Sequence, residues 1–420
     1  MKFYHSPPSI IDGLARVPTL DNQSPSQQCM YLRRPPRLVV DDGRGGYDRG
    51  MPRDKAATGN HPRIIDLFAG PGGLDVGAVW LGIPTTGIEV DTNACATRIA
   101  AGLDTVQGDV RTFGPSDFPD ATVLTGGPPC QTFTVAGAGT GRRALDDVIR
   151  CVSDMEKQPT ADLLLGGFAD ERTALVLEPI RWALLALHAD KPFDAIVLEQ
   201  VPAALPVWEA FGHLLQRHGY GVSHGVLRSE EYGVPQTRRR AILIARFGDE
   251  SVALPSPTHQ AFRKGSGDQA AIGLEPWVSM RQVIRRDTRF TVVSNYGSGG
   301  DPRNRGQRRS DEPSATVTGK ITRNRIRLAD GGWSRLTHHE AGVLQTFPPD
   351  YPWSGNDIGQ QIGNAIPPRL AVHVLAEALE IRFKSSSLDR AVKARWAETS
   401  ASPIASAPTE SQDAVLVASE

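Results

Sequence analysis

The chain has 420 residues, 40% hydrophobic and 22% charged, with a formal net charge of -1. That length predicts two to three domains, and the composition fits a globular chain with a sizeable core rather than a disordered or fibrous one. The near-neutral balance says nothing about an anionic partner, no apolar run approaches the ~18 residues of a membrane span, and the N-terminus lacks a signal-peptide apolar region.

Residues 1–60 are rich in Pro, Gly, Arg, Asp and Ser without a sustained apolar period, and predict a disordered N-terminal extension. Order begins with residues 63–68 (RIIDLF), a strand that runs into Gly70-Pro71-Gly72-Gly73 and a helix. A second strand (85–90) ends at Glu89-Val90, with Asp91 placed to cap the helix through Ala101. Gly108-Asp109-Val110 is a third acidic turn. The apolar run 121–125 predicts a buried strand that breaks at Gly126-Gly127-Pro128-Pro129-Cys130-Gln131. Residues 140–169 fit neither period and predict an inserted loop. A helix over 173–188, a strand over 194–199, a helix near 206–218 and strands near 220–228 and 241–246 follow. Strands alternating with helices imply an α/β domain over 61–247 with a parallel-type sheet covered on both faces.

Beyond residue 247 Gly, Arg, Pro and Ser dominate, predicting a second, small, irregular domain over 248–335. Between Arg281 and Arg327 there are twelve Lys/Arg against four Asp/Glu, a local basic stripe of the kind that nucleic acid attracts or that a solvated loop region carries. Helices return over 336–384, and residues 385–420 predict a disordered tail. The four cysteines, Cys29, Cys95, Cys130 and Cys151, form no C-x-x-C pair, which argues against zinc and suggests reduced thiols in a cytoplasm.

Four constellations carry chemistry. The first is the set of three sheet-edge turns with Gly70 and Gly72, Glu89, and Asp109. They favour a nucleoside-containing cofactor, and Asp75 in place of a third glycine argues against a dinucleotide fingerprint. The second is Cys130 on a stiff loop at a strand's carboxyl end, either a candidate nucleophile or a buried structural thiol. The third is Glu199 at the end of a buried strand, where a carboxylate is costly unless paired or functional. The fourth is 236–240 (QTRRR), in which Gln236, Arg238 and Arg240 share a face that could hold a carbonyl oxygen or phosphate, or a basic strand edge that deters aggregation.

Together these motifs resemble the DNA (cytosine-5) methyltransferase family over about residues 63–371. The motifs are DLFAGPGGL (66–74), the turn at Glu89, GDV (108–110), GGPPCQTF (126–133), EQV (199–201), QTRRR (236–240), EPSATVTGK (312–320), LTHHEAGVLQTFP (336–348) and GNAIPPRLA (363–371). The resemblance implies a Rossmann-like S-adenosylmethionine-dependent methyltransferase sheet with a small target-recognition domain, whose sequence readout lies at about 248–311. It implies Cys130 as the nucleophile on cytosine C6 and Glu199 as the carboxyl group at N3 and the exocyclic amine. Arg238 and Arg240 would hold the O2 side and the thiol loop. Phe68, Gly70, Gly72, Glu89, Val90, Asp109 and Asn364 would form the S-adenosylmethionine pocket. Double-stranded DNA is the implied partner of a cytoplasmic monomer that needs no metal, with a cognate restriction endonuclease as a further partner. The chain departs from the family wording at Gln200, where Asn is usual, and at Thr132 and Thr134, where Pro and Ser are commoner.

Overall fold

The computed structural model describes residues 61–129, 140–157, 171–265, 273–297, 305–399 and 403–405. In chain order these form β1 (Ile64–Leu67), α1 (Gly73–Leu81), β2 (Thr85–Glu89), α2 (Thr92–Ala100), β3 (Asp104–Gln107), β4 (Val123–Gly126), α3 (Thr140–Met155), α4 (Glu178–His188), β5 (Ala195–Gln200), α5 (Leu205–Arg217), β6 (Tyr220–Arg228), β7 (Gln236–Thr237) and β8 (Arg239–Phe247). Seven strands make one sheet in the order β3-β2-β1-β4-β5-β8-β6. All run parallel except β8, which is antiparallel to both of its neighbours. The order reverses beside β1, so the carboxyl ends of β1 and β4 open a crevice of the kind in which such sheets hold ligands.

Strand residues alternate between two cores. Ile65, Leu124, Ile196 and Leu243 pack with Trp182 of α4 and with Trp208 and Phe211 of α5. Ile64, Val123, Val197 and Ile242 pack with Trp80 of α1 and with Leu370 and Val374, which lie on a later helix. Burial on both faces explains why these strands read as near-continuous apolar runs.

The chain continues through β9 (Phe290–Gly297), β10 (Arg305–Arg309), β11 (Ser314–Ala315), β12 (Arg325–Leu328), β13 (Trp333–Arg335), α6 (His338–Leu344), α7 (Ile358–Asn364), α8 (Pro368–Ala378) and α9 (Ser385–Lys393). A four-stranded antiparallel sheet, β10-β9-β12-β13, covers its own small core of Met280, Phe290, Val292, Ile326, Leu344 and Ile362. The short β7–β11 ladder joins Gln236 and Thr237 to Ser314 and Ala315. Helix α8 lies against α1, and a methyl at Gly77 would press on Ala371 and the Pro368 carbonyl. Glycine there sets the closeness of the two helices.

Three expectations need correction. Residues 140–155 form helix α3 rather than a loop, with Val148, Val152 and Met155 buried against the α5 side. Their i, i+4, i+7 spacing is helical, but charged residues at 142, 143, 146 and 147 dilute it. Residues 385–399 are not a disordered tail. Leu388 and Trp396 are buried, Arg369 pairs with Asp389 at 2.6 Å, and the Trp396 indole N–H donates to the Ala101 carbonyl at 2.9 Å. The serine-rich start of α9 hid two apolar anchors. The interval 248–335 is less irregular than expected: it holds a four-stranded antiparallel sheet, in which β12 alternates exposed Arg325 and Arg327 with buried Ile326. The expectations for residues 1–60, 158–170 and 406–420 lie outside the described residues. Among the described residues no helix is long and apolar enough to cross a membrane.

Candidate active site

The turn after β1 takes three left-handed residues in five: Phe68 (φ 59°), Gly70 (φ 56°) and Gly72 (φ 97°). A non-glycine residue in that region costs about 1–3 kcal/mol. The strained turn is held where Ala69 N–H donates to the Ile88 carbonyl (3.1 Å) and Gly70 N–H donates to Glu89 Oε2 (2.7 Å). Glu89 Oε1 accepts from the Val90 and Asp91 amides, both at 2.8 Å. The Val90 side chain is 63% exposed. A methyl on Gly70 would meet nothing within 4 Å, so open space lies before the turn.

Gly72 has a different role. A Cβ there would run into the Leu103 side chain and approach Tyr351 Oη, so this glycine answers to packing rather than to the open crevice. Asp109, at the end of β3, accepts from Arg111 Nη2 at 2.6 Å and from the Arg111 amide at 3.0 Å. Partial burial raises the Asp109 pKa, but the Arg111 hydrogen bonds and charge outweigh it and hold the carboxyl below its ordinary range.

Beneath these turns lies a buried network that sequence reasoning missed. Arg98 donates to both oxygens of Asp75 (2.7 and 2.8 Å) and to the Asp104 carbonyl (2.9 Å). Its guanidinium occupies the place a side chain at Gly87 would need. Asp66 lies nearby, accepting from Thr125 Oγ1 at 2.7 Å. Burial first, then the Asp75 charge, push its pKa up to about 8. The available signal was Asp75 itself, a carboxylate in the first turn of α1 where a third glycine would stand.

The other half of the crevice is built from β4, β5 and β8. Gly127 N–H donates to the Leu67 carbonyl at 3.2 Å and leads the chain into Pro128 and Pro129. Cys130 itself lies outside the described residues. Glu199 ends β5 as an ion pair with Arg240 Nε, their side chains 13% and 12% exposed. The next residue, Gln200, is buried and donates from Nε2 to the Pro128 carbonyl, while its Oε1 accepts from the Val201 amide at 2.5 Å. The Glu199 carboxylate and the entrance to the Cys130 loop are thus fixed by consecutive residues of one strand.

Gln236 and Arg238 point inward like Arg240, but not toward an open ligand face. Arg238 is fully buried and donates from Nη1 to the Val317 carbonyl (3.0 Å) and from Nη2 to the Gly363 carbonyl (2.9 Å). Burial, then the charge of Arg240, push its pKa down. Gln236 Nε2 donates to Gln345 Oε1 (2.6 Å), and Gln345 Nε2 donates to the Ile362 and Ala365 carbonyls (2.6 and 3.2 Å). These amides and Arg238 clamp the chain on both sides of Gly363-Asn364. Asn364 is exposed at the end of α7, and its Oδ1 accepts from Gln360 Nε2 at 2.7 Å. Of the three inward residues, only Arg240 reaches Glu199.

The sheet order, the lone reversed strand and the ligand turns at the ends of β1 to β3 define an α/β fold of the S-adenosylmethionine-dependent methyltransferase class. The profile of the C-5 cytosine-specific DNA methylase family matches residues 62–380, and the chain belongs to that family. It is therefore a DNA cytosine C5 methyltransferase, and S-adenosylmethionine is its methyl donor. It is 28% identical over 352 residues to type II methyltransferase M1.HphI of Haemophilus parahaemolyticus, covering 75% of this chain and 86% of that one. It is 27% identical over 376 residues to type II methyltransferase M.NgoFVII of Neisseria gonorrhoeae, covering 77% and 88%. Among solved structures, Dnmt2 of S. pombe shares the fold at TM-score 0.51 and 17% identity, over 76% of this chain and 99% of that one.

Proposed function

We propose that this enzyme methylates C5 of a cytosine turned out of double-stranded DNA, through a transient bond between Cys130 Sγ and ring atom C6. The observation that carries the reading is the Glu199–Arg240 ion pair, set one residue from the Gln200–Pro128 bond at the mouth of the Cys130 loop. A paired carboxylate beside the strand end from which the chain runs on to Cys130 suits addition of a thiol to a pyrimidine ring.

In this reading the Cys130 thiolate adds to C6, and the C5–C6 π electrons move into the ring toward N3. Glu199, oriented by Arg240, holds the proton at N3 and contacts the exocyclic amine, which stabilises the charge that develops there. S-adenosylmethionine, when bound, supplies an electrophilic methyl group for C5. C5 then loses its proton to a base, the C5–C6 double bond reforms and the thiolate leaves C6.

The cofactor crevice fits that donor. Glu89 Oε2 accepts one amide and retains capacity for a ribose hydroxyl. The exposed Val90 offers an apolar surface for adenine, with Phe68 and the open space at Gly70 on the β1 side. Asp109 and Asn364 complete the rim. Arg238 acts as a positioning residue that ties the Asn364 segment to the strand carrying Arg240.

The basic interval 248–335 supports a target-recognition role for that part of the chain. The names of the two relatives support a restriction–modification setting with a cognate endonuclease. The reading includes a monomer acting on DNA in the cytoplasm. The test is a duplex containing 5-fluorocytosine at the target, incubated with the enzyme and S-adenosylmethionine. Because the fluorine cannot leave as a proton does, a covalent protein–DNA species should accumulate. An enzyme that binds the cofactor and forms no such species on any duplex overturns the covalent route.

A further inference from the structure

The outer face of the four-stranded sheet carries three arginines, Arg325, Arg327 and Arg335, that no acidic residue among the described ones pairs with. Strand β12 alternates exposed Arg325 and Arg327 with buried Ile326, so its arginines point away from the small core. Arg325 stands directly opposite Arg335 of β13, and Arg327 opposite Trp333. Like charges facing each other across strands destabilise a ladder. Among the described residues none of these three arginines has an acidic partner, whereas Arg309 on the same face pairs with Asp311 at 3.0 Å. Arg325 lies over the Trp333 ring, 4.4 Å from its centroid, and Trp333 is itself 49% exposed. The ring face attracts that guanidinium and keeps it beside β13.

Protection of a sheet edge accounts for Arg335, because β13 is an edge strand. It does not account for Arg325 and Arg327. Strand β12 is paired on both sides, by β9 and β13, and has no free edge to protect. Two repelling arginines on an interior strand, beside an exposed tryptophan, suit an anion that arrives from outside. The guanidinium fork matches phosphate oxygens in pairs. A strand's exposed residues recur at about 6.6–7 Å, close to the roughly 7 Å between successive phosphates in one DNA strand.

We propose that Arg325, Arg327 and Arg335, with Trp333 as their support, form a docking track for the phosphate backbone of duplex DNA, read without regard to sequence. The inference rests on the DNA substrate of the proposed function. It places binding residues outside the interval 248–311 expected to read the target. Contacts of this kind position the protein and carry no base information.

The test measures duplex affinity against salt for the full-length enzyme on a target duplex and on an unrelated one. Each phosphate contact contributes about 0.9 to the slope of log affinity against log salt. R325Q/R327Q/R335Q should lower that slope by about 2 to 3 and weaken both duplexes by the same factor, at least tenfold at low salt. R325K/R327K/R335K should keep most of the slope, because it keeps the charge. A circular dichroism spectrum and melting midpoint no lower than wild type would show that the Gln variant is folded. A folded Gln variant with an unchanged slope overturns the proposal, as does a loss confined to the target duplex. A wild-type enzyme that binds no duplex at all overturns both this proposal and the reading beneath it.

Discussion

The buried Gln200 amide donates to the Pro128 carbonyl, two residues before Cys130, and accepts from the Val201 amide. The side chain thus spans from β5 to the start of the thiol loop. Leaving a buried carbonyl without its donor costs about 1–3 kcal/mol. Gln200→Ala should therefore lower stability by that amount and slow single-turnover methylation. Gln200→Asn keeps an amide donor at the same position and should recover part of the loss. Calorimetry and rapid-quench transfer assays check both.

Glu199→Gln keeps the shape of the side chain but removes its charge and its ability to hold a proton at N3. Loss of a positioned acid–base group lowers rates by about 10²–10⁴-fold. Transfer should fall within that range while S-adenosylmethionine affinity, measured calorimetrically, stays within twofold. A fall in cofactor affinity with normal turnover would assign Glu199 to the other half of the crevice.

Asp66 links fold stability to pH. Its pKa is about 8 in the folded chain against an ordinary 3.8. Between those values the folded chain holds a proton that the unfolded chain has lost. The stability this confers is complete below about pH 4 and disappears as pH rises through 8. Asp66→Asn keeps the Thr125 hydrogen bond and removes the titration. Melting midpoints at pH 5 and pH 8.5 should fall more in wild type than in the variant. Equal falls would contradict the neutral Asp66.

Trp396 opens the last helical turn among the described residues (Trp396–Thr399) and anchors it beside α2. Its indole donates to the Ala101 carbonyl at 2.9 Å, and its ring meets Tyr351 with centroids 5.6 Å apart. Truncating a buried tryptophan costs about 3–5 kcal/mol. Trp396→Ala should destabilise the protein by roughly that amount, read by chemical denaturation. A change below about 1 kcal/mol would mean that the segment contributes little to the folded state.

The parts of the molecule most legible in the sequence were those where one residue type has one physical use. Gly70 marks a left-handed turn beside open space, and the 121–125 run marks a strand buried on both faces. Glu199 was legible because a carboxylate ending a buried strand needs a partner, and Arg240 supplies one. Gln236 and Arg238 were harder. Their alternation places them inward, but whether an inward arginine meets a ligand or backbone carbonyls depends on segments about 80 and 125 residues away. Gly72 reads like Gly70, although Leu103 rather than a cofactor requires it. Helix α3 and the segment over 385–399 were missed because few apolar anchors sit among many polar residues. In both, packing partners rather than local pattern decide the structure.

The central claim is methyl transfer to cytosine C5 with Cys130 as nucleophile. Purified wild type and Cys130→Ser are incubated with duplex DNA and methyl-labelled S-adenosylmethionine, and the DNA is digested to nucleosides and bisulfite-sequenced. Wild type should place the label on 5-methylcytosine at one recurring sequence, and Cys130→Ser should place none while still binding cofactor. Label on another base, or full transfer by the serine variant, would contradict the account.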